Sequence, residues 1–263
     1  MVNHQEYAHP EDHDYDSGSP HLKHPHLRER IQTSLREAVA QIIDQRGECR
    51  ALEVGAGHGD FTETLIGAGA IVTVTEMSGP SARRLERIYL ANANVQVVYD
   101  PDGSWLESSD DLFDLVVCVS VLHHIPDYMA FLRLAFSRTR RGGGFVSWQD
   151  PLWYPRRTKG NLRFEKLSYY TWRVTRGNLI GGLQTRIRRA RGVIDESNPA
   201  DMVEYHVVRN GVDEQVILRL ASQEFESIEL NSYWSTQNIV LQRFGEHDWA
   251  ANTFGVIARG GKR

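Results

Sequence analysis

The residues best suited to chemistry begin with Glu53-Val-Gly55-Ala-Gly57-His-Gly59, directly after a short apolar run at 51–54. Glycine carries no Cβ, so a ligand can lie against the backbone here. The N–H groups that open the following helix are then available to polar ligand atoms. The spacing is G-x-G-x-G. The dinucleotide fingerprint G-x-G-x-x-G needs its third glycine at position 60, which is Asp60. The loop therefore suits a ligand with no pyrophosphate to neutralise. The next apolar run, 71–75, ends in Glu76. An acid at that strand tip can accept hydrogen bonds from both hydroxyls of a ribose.

A second group could move protons. His123 and His124 follow the apolar run 115–119, and imidazole is the side chain whose ordinary pKa suits general-base work near neutrality. The alternative for either is hydrogen bonding within its own loop. Asp150, at the end of a later strand, and His206, in Glu204-Tyr205-His206, are further candidates. His58, inside the glycine loop, packs against the ligand in this reading rather than acting as a base.

Positioning these groups requires an open sheet. Leu27, Ile31, Leu35, Val39 and Ile42 recur at helical spacing, and the helix ends by Gly47. Strands at 51–54, 71–75, 95–99 and 115–119 then alternate with helical segments. A fifth, 145–148, is launched from Gly142-Gly143-Gly144. Near-continuously apolar strands separated by helices mean a parallel sheet covered on both faces. Strand patterns return at 225–234 and 253–258, after a helix over 212–220. The expected organisation is an N-terminal arm and lid helix (1–44), a Rossmann-like doubly wound core (45–150), a basic helical insertion (151–224) and a final strand pair (225–263).

Taken together, Glu53–Gly59, Glu76, the turn containing Asp102, the run from Phe113-Asp114 through Ser120 and His123-His124 to Asp127, and the glycine-rich fifth strand resemble class I S-adenosylmethionine-dependent methyltransferases. The nearest group includes the ubiquinone and menaquinone biosynthesis methyltransferases and many secondary-metabolite enzymes. The resemblance covers 45–150 and 225–259 and leaves 151–224 uncovered. It implies seven strands, the last antiparallel, and S-adenosylmethionine as cofactor. It places Gly55, Gly57 and Gly59 beneath the methionine and ribose parts, with Glu53, Ala56 and Met77 among the contacts. Glu76 would hold the ribose hydroxyls and Ser120 would lie beside the methionine part. Asp102 would face the adenine amino group, with Asp100 as the alternative because Tyr-Asp100-Pro-Asp102-Gly departs from the group's usual Gly-Asp-Ala. Tyr15-Asp16 resembles the Tyr-Asp pair that closes over the cofactor, which would set the Tyr15 ring against the sulfonium. Among the two adjacent histidines, the group's register favours His124 over His123.

Composition narrows the acceptor only partly. A net charge of −4 argues against a general polyanion binder. Between Arg156 and Arg191, however, eleven basic residues meet one acid, Glu165, giving a local charge of +10. This segment reads as a solvated lid, as a site for an anionic or carrier-bound small molecule, or as an RNA- or lipid-directed surface. The strand-four tip lacks the Asn/Asp-Pro-Pro-Tyr of amino-group DNA methylation, so DNA is not expected. No metal is expected, since Ser120 stands where metal-dependent catechol enzymes have an Asp. The stretch 1–26, which holds six histidines, shows no periodicity and reads as an extended or flexible arm. Cys49 and Cys118 sit in apolar runs and read as buried hydrophobes. No apolar stretch approaches the ~20 residues that span a bilayer, and the N-terminus lacks a signal peptide's apolar region, so a cytoplasmic protein is expected. The function implied is metal-independent methyl transfer to an oxygen, nitrogen or carbon of a small acceptor. A cofactor-binding protein without catalysis is the alternative, and a nicotinamide-dependent oxidoreductase is disfavoured by Asp60. Oligomeric state is not readable.

Overall fold

A computed structural model describes residues 19–175, 210–245 and 248–262. Tyr15, Asp16 and His206 lie outside the described residues, as does the basic run from Arg176 to Arg191.

Four β-branched or apolar runs form the first strands of the parallel part of the sheet: β1 (Arg50–Val54), β2 (Ile71–Glu76), β3 (Val95–Tyr99) and β4 (Phe113–Val119). Every residue of β4 is buried, as a central strand covered on both faces requires. With β5 (Thr139–Pro151), β6 (Phe225–Tyr233) and β7 (Thr253–Gly261) the order is β3-β2-β1-β4-β5-β7-β6. β5 joins the parallel part beside β4, and β7 runs antiparallel to both β5 and β6. This is the seven-stranded Rossmann-like sheet expected from the sequence. Strand order reverses direction between β1 and β4, so a crevice opens at their carboxyl ends, where open α/β sheets bind ligands.

Two apolar layers hold the sheet. On one face α2 (Pro25–Arg46) buries Leu27, Ile31, Leu35, Val39 and Ile42 against Val72, Leu115 and Val146. Gly47 then stops it at φ 83°, its N–H donating to the Ile43 carbonyl at 2.7 Å. Ser34 of this helix accepts the indole N–H of Trp148 at 2.8 Å, tying α2 to β5. Helices α3 (Thr62–Gly67) and α4 (Gly79–Tyr89) flank the first strands. On the opposite face α6 (Tyr128–Ser137), which follows the short α5 (Trp105–Ser108), packs Phe136 edge-on to Phe145 and Phe225. Helix α8 (Glu214–Glu224) adds Ile217 and Ala221 to that layer, with Asp213 as its N-cap. Cys49 and Cys118 are fully buried, and burial raises both thiols, Cys49 to about 12.

Two expectations change. The fifth strand does not start after the glycines but runs through them, from Thr139 to Pro151. The reason is close backbone approach. A Cβ on Gly143 would sit 2.6 Å from the Asp114 carbonyl, and one on Gly144 3.0 Å from the Ala258 carbonyl. Residues 19–26 are also not an extended arm. Proline at N1 opens both α1 (Pro20–Lys23) and α2, and His21, Leu22 and His24 are buried. His24 Nε2 bonds the Thr236 carbonyl at 2.7 Å, and Lys23 Nζ donates to the Gln237 carbonyl at 2.8 Å.

Candidate functional site

The glycine loop leaves β1 with Gly55, Gly57 and Gly59 all at positive φ (67°, 57° and 89°). That conformation is cheap only for glycine. The turn is laid across the tip of β2: Gly55 and Ala56 N–H groups both donate to the Thr75 carbonyl, at 2.8 and 3.3 Å. Space is tight. A Cβ on Gly55 would stand 2.8 Å from a Val121 methyl, and one on Gly59 3.0 Å from Leu85 and Tyr89.

Glu76 joins the loop to the next helix. Its Oε2 accepts the Gly57 N–H and its Oε1 the Ser78 N–H, each at 2.8 Å. Burial raises the carboxyl's pKa, while these N–H donors pull it back toward the ionised form. Each carboxylate oxygen keeps acceptor capacity beyond one N–H, which two adjacent hydroxyls can use. Met77 follows, half-buried. Glu53 points inward instead: it is 2% exposed, and its Oε2 accepts the Thr62 hydroxyl at 2.5 Å. Burial raises it to about 8, with Asp60 and Glu76 adding repulsion. Its visible task is to hold the first turn of α3 beneath the loop.

The two aspartates after β3 occupy different settings. Asp100 is buried at the strand tip, its N–H donating to the Glu76 carbonyl at 2.9 Å and its Oδ1 accepting the Trp105 N–H at 3.1 Å. Asp102 is exposed, and its Oδ1 is engaged by the Ser104 N–H and hydroxyl at 3.1 and 2.7 Å. Burial raises the Asp100 carboxyl, whereas the Ser104 hydroxyl lowers that of Asp102.

Across the crevice, left-handed non-glycine residues stand just after β4 and near the end of β5: Ser120 at φ 61° and Gln149 at φ 68°. Such positions cost of order 1–3 kcal/mol each and cluster at functional sites. Ser120 is held by its N–H to the Trp148 carbonyl, 2.8 Å. Gln149 sits in a register break of the β5–β7 ladder between Ser147 and Asp150, a bulge that re-aims the residue after it. That residue, Asp150, is fully buried and meets His123 twice. Its Oδ1 accepts the His123 backbone N–H at 3.0 Å and lies 2.8 Å from Nδ1 of the ring. Its Oδ2 is buried without a hydrogen-bond partner among the described residues. Burial raises the Asp150 carboxyl and the His123 contacts oppose that. The His124 ring lies tilted against that of His123, centroids 4.0 Å apart and planes at 43°.

Sequence reasoning thus brought the glycine loop, Glu76, Ser120, His123 and Asp150 to one sheet edge, where the structure also places them. It ranked His124 above His123, whereas the carboxylate partner belongs to His123. It missed His21, which α1 carries to the same edge: 6% exposed, its ring stacks on Phe61 at 5.9 Å. The signal available was the pair Pro20 and Pro25, each a helix-opening proline.

The family described as "Methyltransferase domain" matches residues 25–177. The chain belongs to that family. This agrees with the resemblance to class I S-adenosylmethionine-dependent methyltransferases. A ubiquinone biosynthesis O-methyltransferase of Xanthomonas campestris pv. campestris (strain B100) is 33% identical over 101 residues, 36% of this chain and 40% of the relative. The chain therefore matches less than half the length of that curated relative. Among solved structures, N-methyltransferase NodS from Bradyrhizobium japonicum WM9, in complex with S-adenosyl-L-homocysteine, aligns with TM-score 0.54 and 15% identity, over 98% of this chain and 99% of that one. An O-methyltransferase family protein from Burkholderia thailandensis aligns with TM-score 0.52 and 10% identity, over 89% and 57%. These two likenesses are of fold. Among the described residues, no group of three or more His, Cys, Asp or Glu could hold a metal ion, and no helix is long and apolar enough to cross a membrane.

Proposed function

We propose that this chain transfers a methyl group from S-adenosylmethionine to the hydroxyl oxygen of a small organic acceptor. The observation carrying this reading is the His123–Asp150 pair at the sheet edge, across the crevice from the glycine loop and Glu76. The donor set fits the cofactor. A buried carboxylate oriented by two loop N–H groups suits a ribose diol, and side-chain-free backbone suits a ligand lying along it. Asp100, buried at the β3 tip, is better placed than exposed Asp102 to meet adenine. When bound, S-adenosylmethionine supplies an electrophilic methyl on a positively charged sulfur.

The chain's own residues then align and deprotonate. Alignment of reactants and exclusion of water are worth up to roughly 7–11 kcal/mol in such reactions. His123 has Nδ1 committed to Asp150, so Nε2 is the ring nitrogen that takes the acceptor's proton. The Asp150 carboxylate fixes the ring and stabilises the imidazolium that forms, the role of an orienting acid in His–Asp pairs. Ser120 forms the adjoining wall. The acceptor is anionic or carrier-bound in this reading, supported by Lys159, Arg163 and Lys166, exposed along α7 (Lys159–Thr175). Arg156 and Arg157 serve the fold instead: Arg156 pairs with Asp213 and Glu214, and Arg157 with Glu165.

The test is methyl transfer from labelled S-adenosylmethionine across a panel of phenols, carboxylic acids and amines. Acceptor-dependent release of S-adenosylhomocysteine, abolished in His123→Gln with cofactor affinity intact, is the expected result. Cofactor binding with no transfer to any acceptor would leave a binding protein without catalysis.

A further inference from the structure

We propose that His21 is an acceptor-binding residue: helix α1 sets its imidazole against Phe61 at the crevice, with a buried, unpartnered Nδ1 that hydrogen-bonds the hydroxyl that His123 deprotonates. The proposal rests on the methyl-transfer reading and assigns a second imidazole to its acceptor pocket.

Four observations carry it. The first is placement. α1 is clamped on one side by the His24 and Lys23 bonds to the Thr236 and Gln237 carbonyls, and on the other by the His21 ring on Phe61, at the start of α3. The helix therefore bridges the crevice from the glycine-loop side to the segment beyond β6. The second is burial, since His21 is 6% exposed although it sits in a polar, histidine-rich stretch. The third is an unmet requirement: its Nδ1 is buried with no hydrogen-bond partner among the described residues. A buried polar atom left so is destabilising, and a ligand hydroxyl would satisfy it. The fourth is electrostatic. Burial above all, then the charges of His123 and Arg28, lower the pKa of His21 to about 3. His21 is accordingly a neutral ring at ordinary pH and offers hydrogen bonding without a competing positive charge. Arg28 itself is turned to Asp60 at 3.5 Å.

A hydroxyl between the two rings makes complementary bonds. It donates its proton to His123 Nε2 and accepts from His21 when that ring carries its proton on Nδ1. As the acceptor oxygen bonds to the methyl carbon, the carbon–sulfur bond breaks with its electron pair going to sulfur, and the proton rests on His123. The His21 bond strengthens as negative charge gathers on oxygen beforehand, and it requires no proton to leave His21.

The experiment uses the full chain saturated with S-adenosylhomocysteine, with catechol as the hydroxyl probe and side-chain 15N signals of the imidazoles as readout. Catechol should move the signals of both His21 and His123. His21→Phe keeps a ring against Phe61 and removes the nitrogens. It should bind S-adenosylhomocysteine within twofold of the parent chain and catechol about tenfold more weakly, the scale of one hydrogen bond. His21→Asn, which restores a polar atom near the Nδ1 position, should recover part of that loss, an outcome that a merely structural role would not give. Catechol binding that leaves the His21 nitrogens unmoved, equal catechol affinity in His21→Phe, or no catechol binding at all overturns the proposal. Failure of the parent chain to bind S-adenosylhomocysteine would overturn the methyl-transfer reading instead.

Discussion

Replacing Glu76 by Gln changes one oxygen for an amide nitrogen and leaves the shape alone. Both carboxylate oxygens already accept a backbone N–H at 2.8 Å, from Gly57 and from Ser78. Whichever way the amide turns, its NH2 faces one of those donors, so one bond is lost and one N–H is stranded. If Gly57 loses its partner, the glycine loop is released. If Ser78 does, the start of α4 loosens, where the Ser78 hydroxyl caps Ser81. A stranded buried donor costs about 1–3 kcal/mol of stability. Loss of the charge weakens each ribose hydrogen bond as well, and hydrogen bonds to charged groups are worth about 1.5–3 kcal/mol. The dissociation constant for S-adenosylhomocysteine, measured by calorimetry, should rise about 10- to 150-fold in Glu76→Gln. In Glu76→Ala the rise should be at least as large, since both N–H groups lose the carboxylate. Folded variants binding within threefold of the parent would remove Glu76 from the cofactor site and refute the reasoning.

Gly55→Ala should destabilise the chain in two separable parts: about 1–2 kcal/mol for a side chain at φ 67°, and a steric part from the Val121 methyl at 2.8 Å. Adding Val121→Ala should return only the second part in thermal unfolding. Asp150→Asn should lower turnover about 100-fold or more while leaving S-adenosylhomocysteine affinity unchanged, because the amide orients His123 without stabilising its cation; an unaltered rate would make the pair structural. Glu53 titrates near 8 when folded against an ordinary 4.5, so the unfolded chain releases this proton first and stability falls as pH rises between those values. His21, depressed to about 3 from 6.5, acts oppositely: its contribution is lost as pH falls below 6.5. Between pH 6.5 and 8 the Glu53 effect stands alone of these two, with a slope up to about 1.4 kcal/mol per unit. Glu53→Gln should flatten the denaturation midpoint over that window, and an unchanged slope would count against a buried neutral acid.

What was legible in the sequence was what local pattern encodes. β-branched runs gave the parallel strands, the G-x-G-x-G spacing gave the loop, and Glu76 stood where its strand ended. The hidden parts depend on neighbours far along the chain. His123 and His124 share one short turn, and nothing within that turn distinguishes them; Asp150, 27 residues on, does so through a bulge at Gln149. The Gly142–Gly144 run read as a strand entry because glycine disfavours strands, yet facing carbonyls of Asp114 and Ala258 require it inside β5. The buried N-terminal histidines were read as an arm because their partners, Thr236 and Phe61, belong to distant elements. Asp100 and Asp102 differ only in which one the strand tip buries.

The most direct test of the central claim is a crystal structure of the full chain grown with S-adenosylhomocysteine. The expected result is ribose hydroxyls on the Glu76 carboxylate, the methionine part along Gly55–Gly59, and the sulfur directed toward the space beside His123. Density for the ligand elsewhere, or in the cradle with its sulfur turned away from His123, would contradict it.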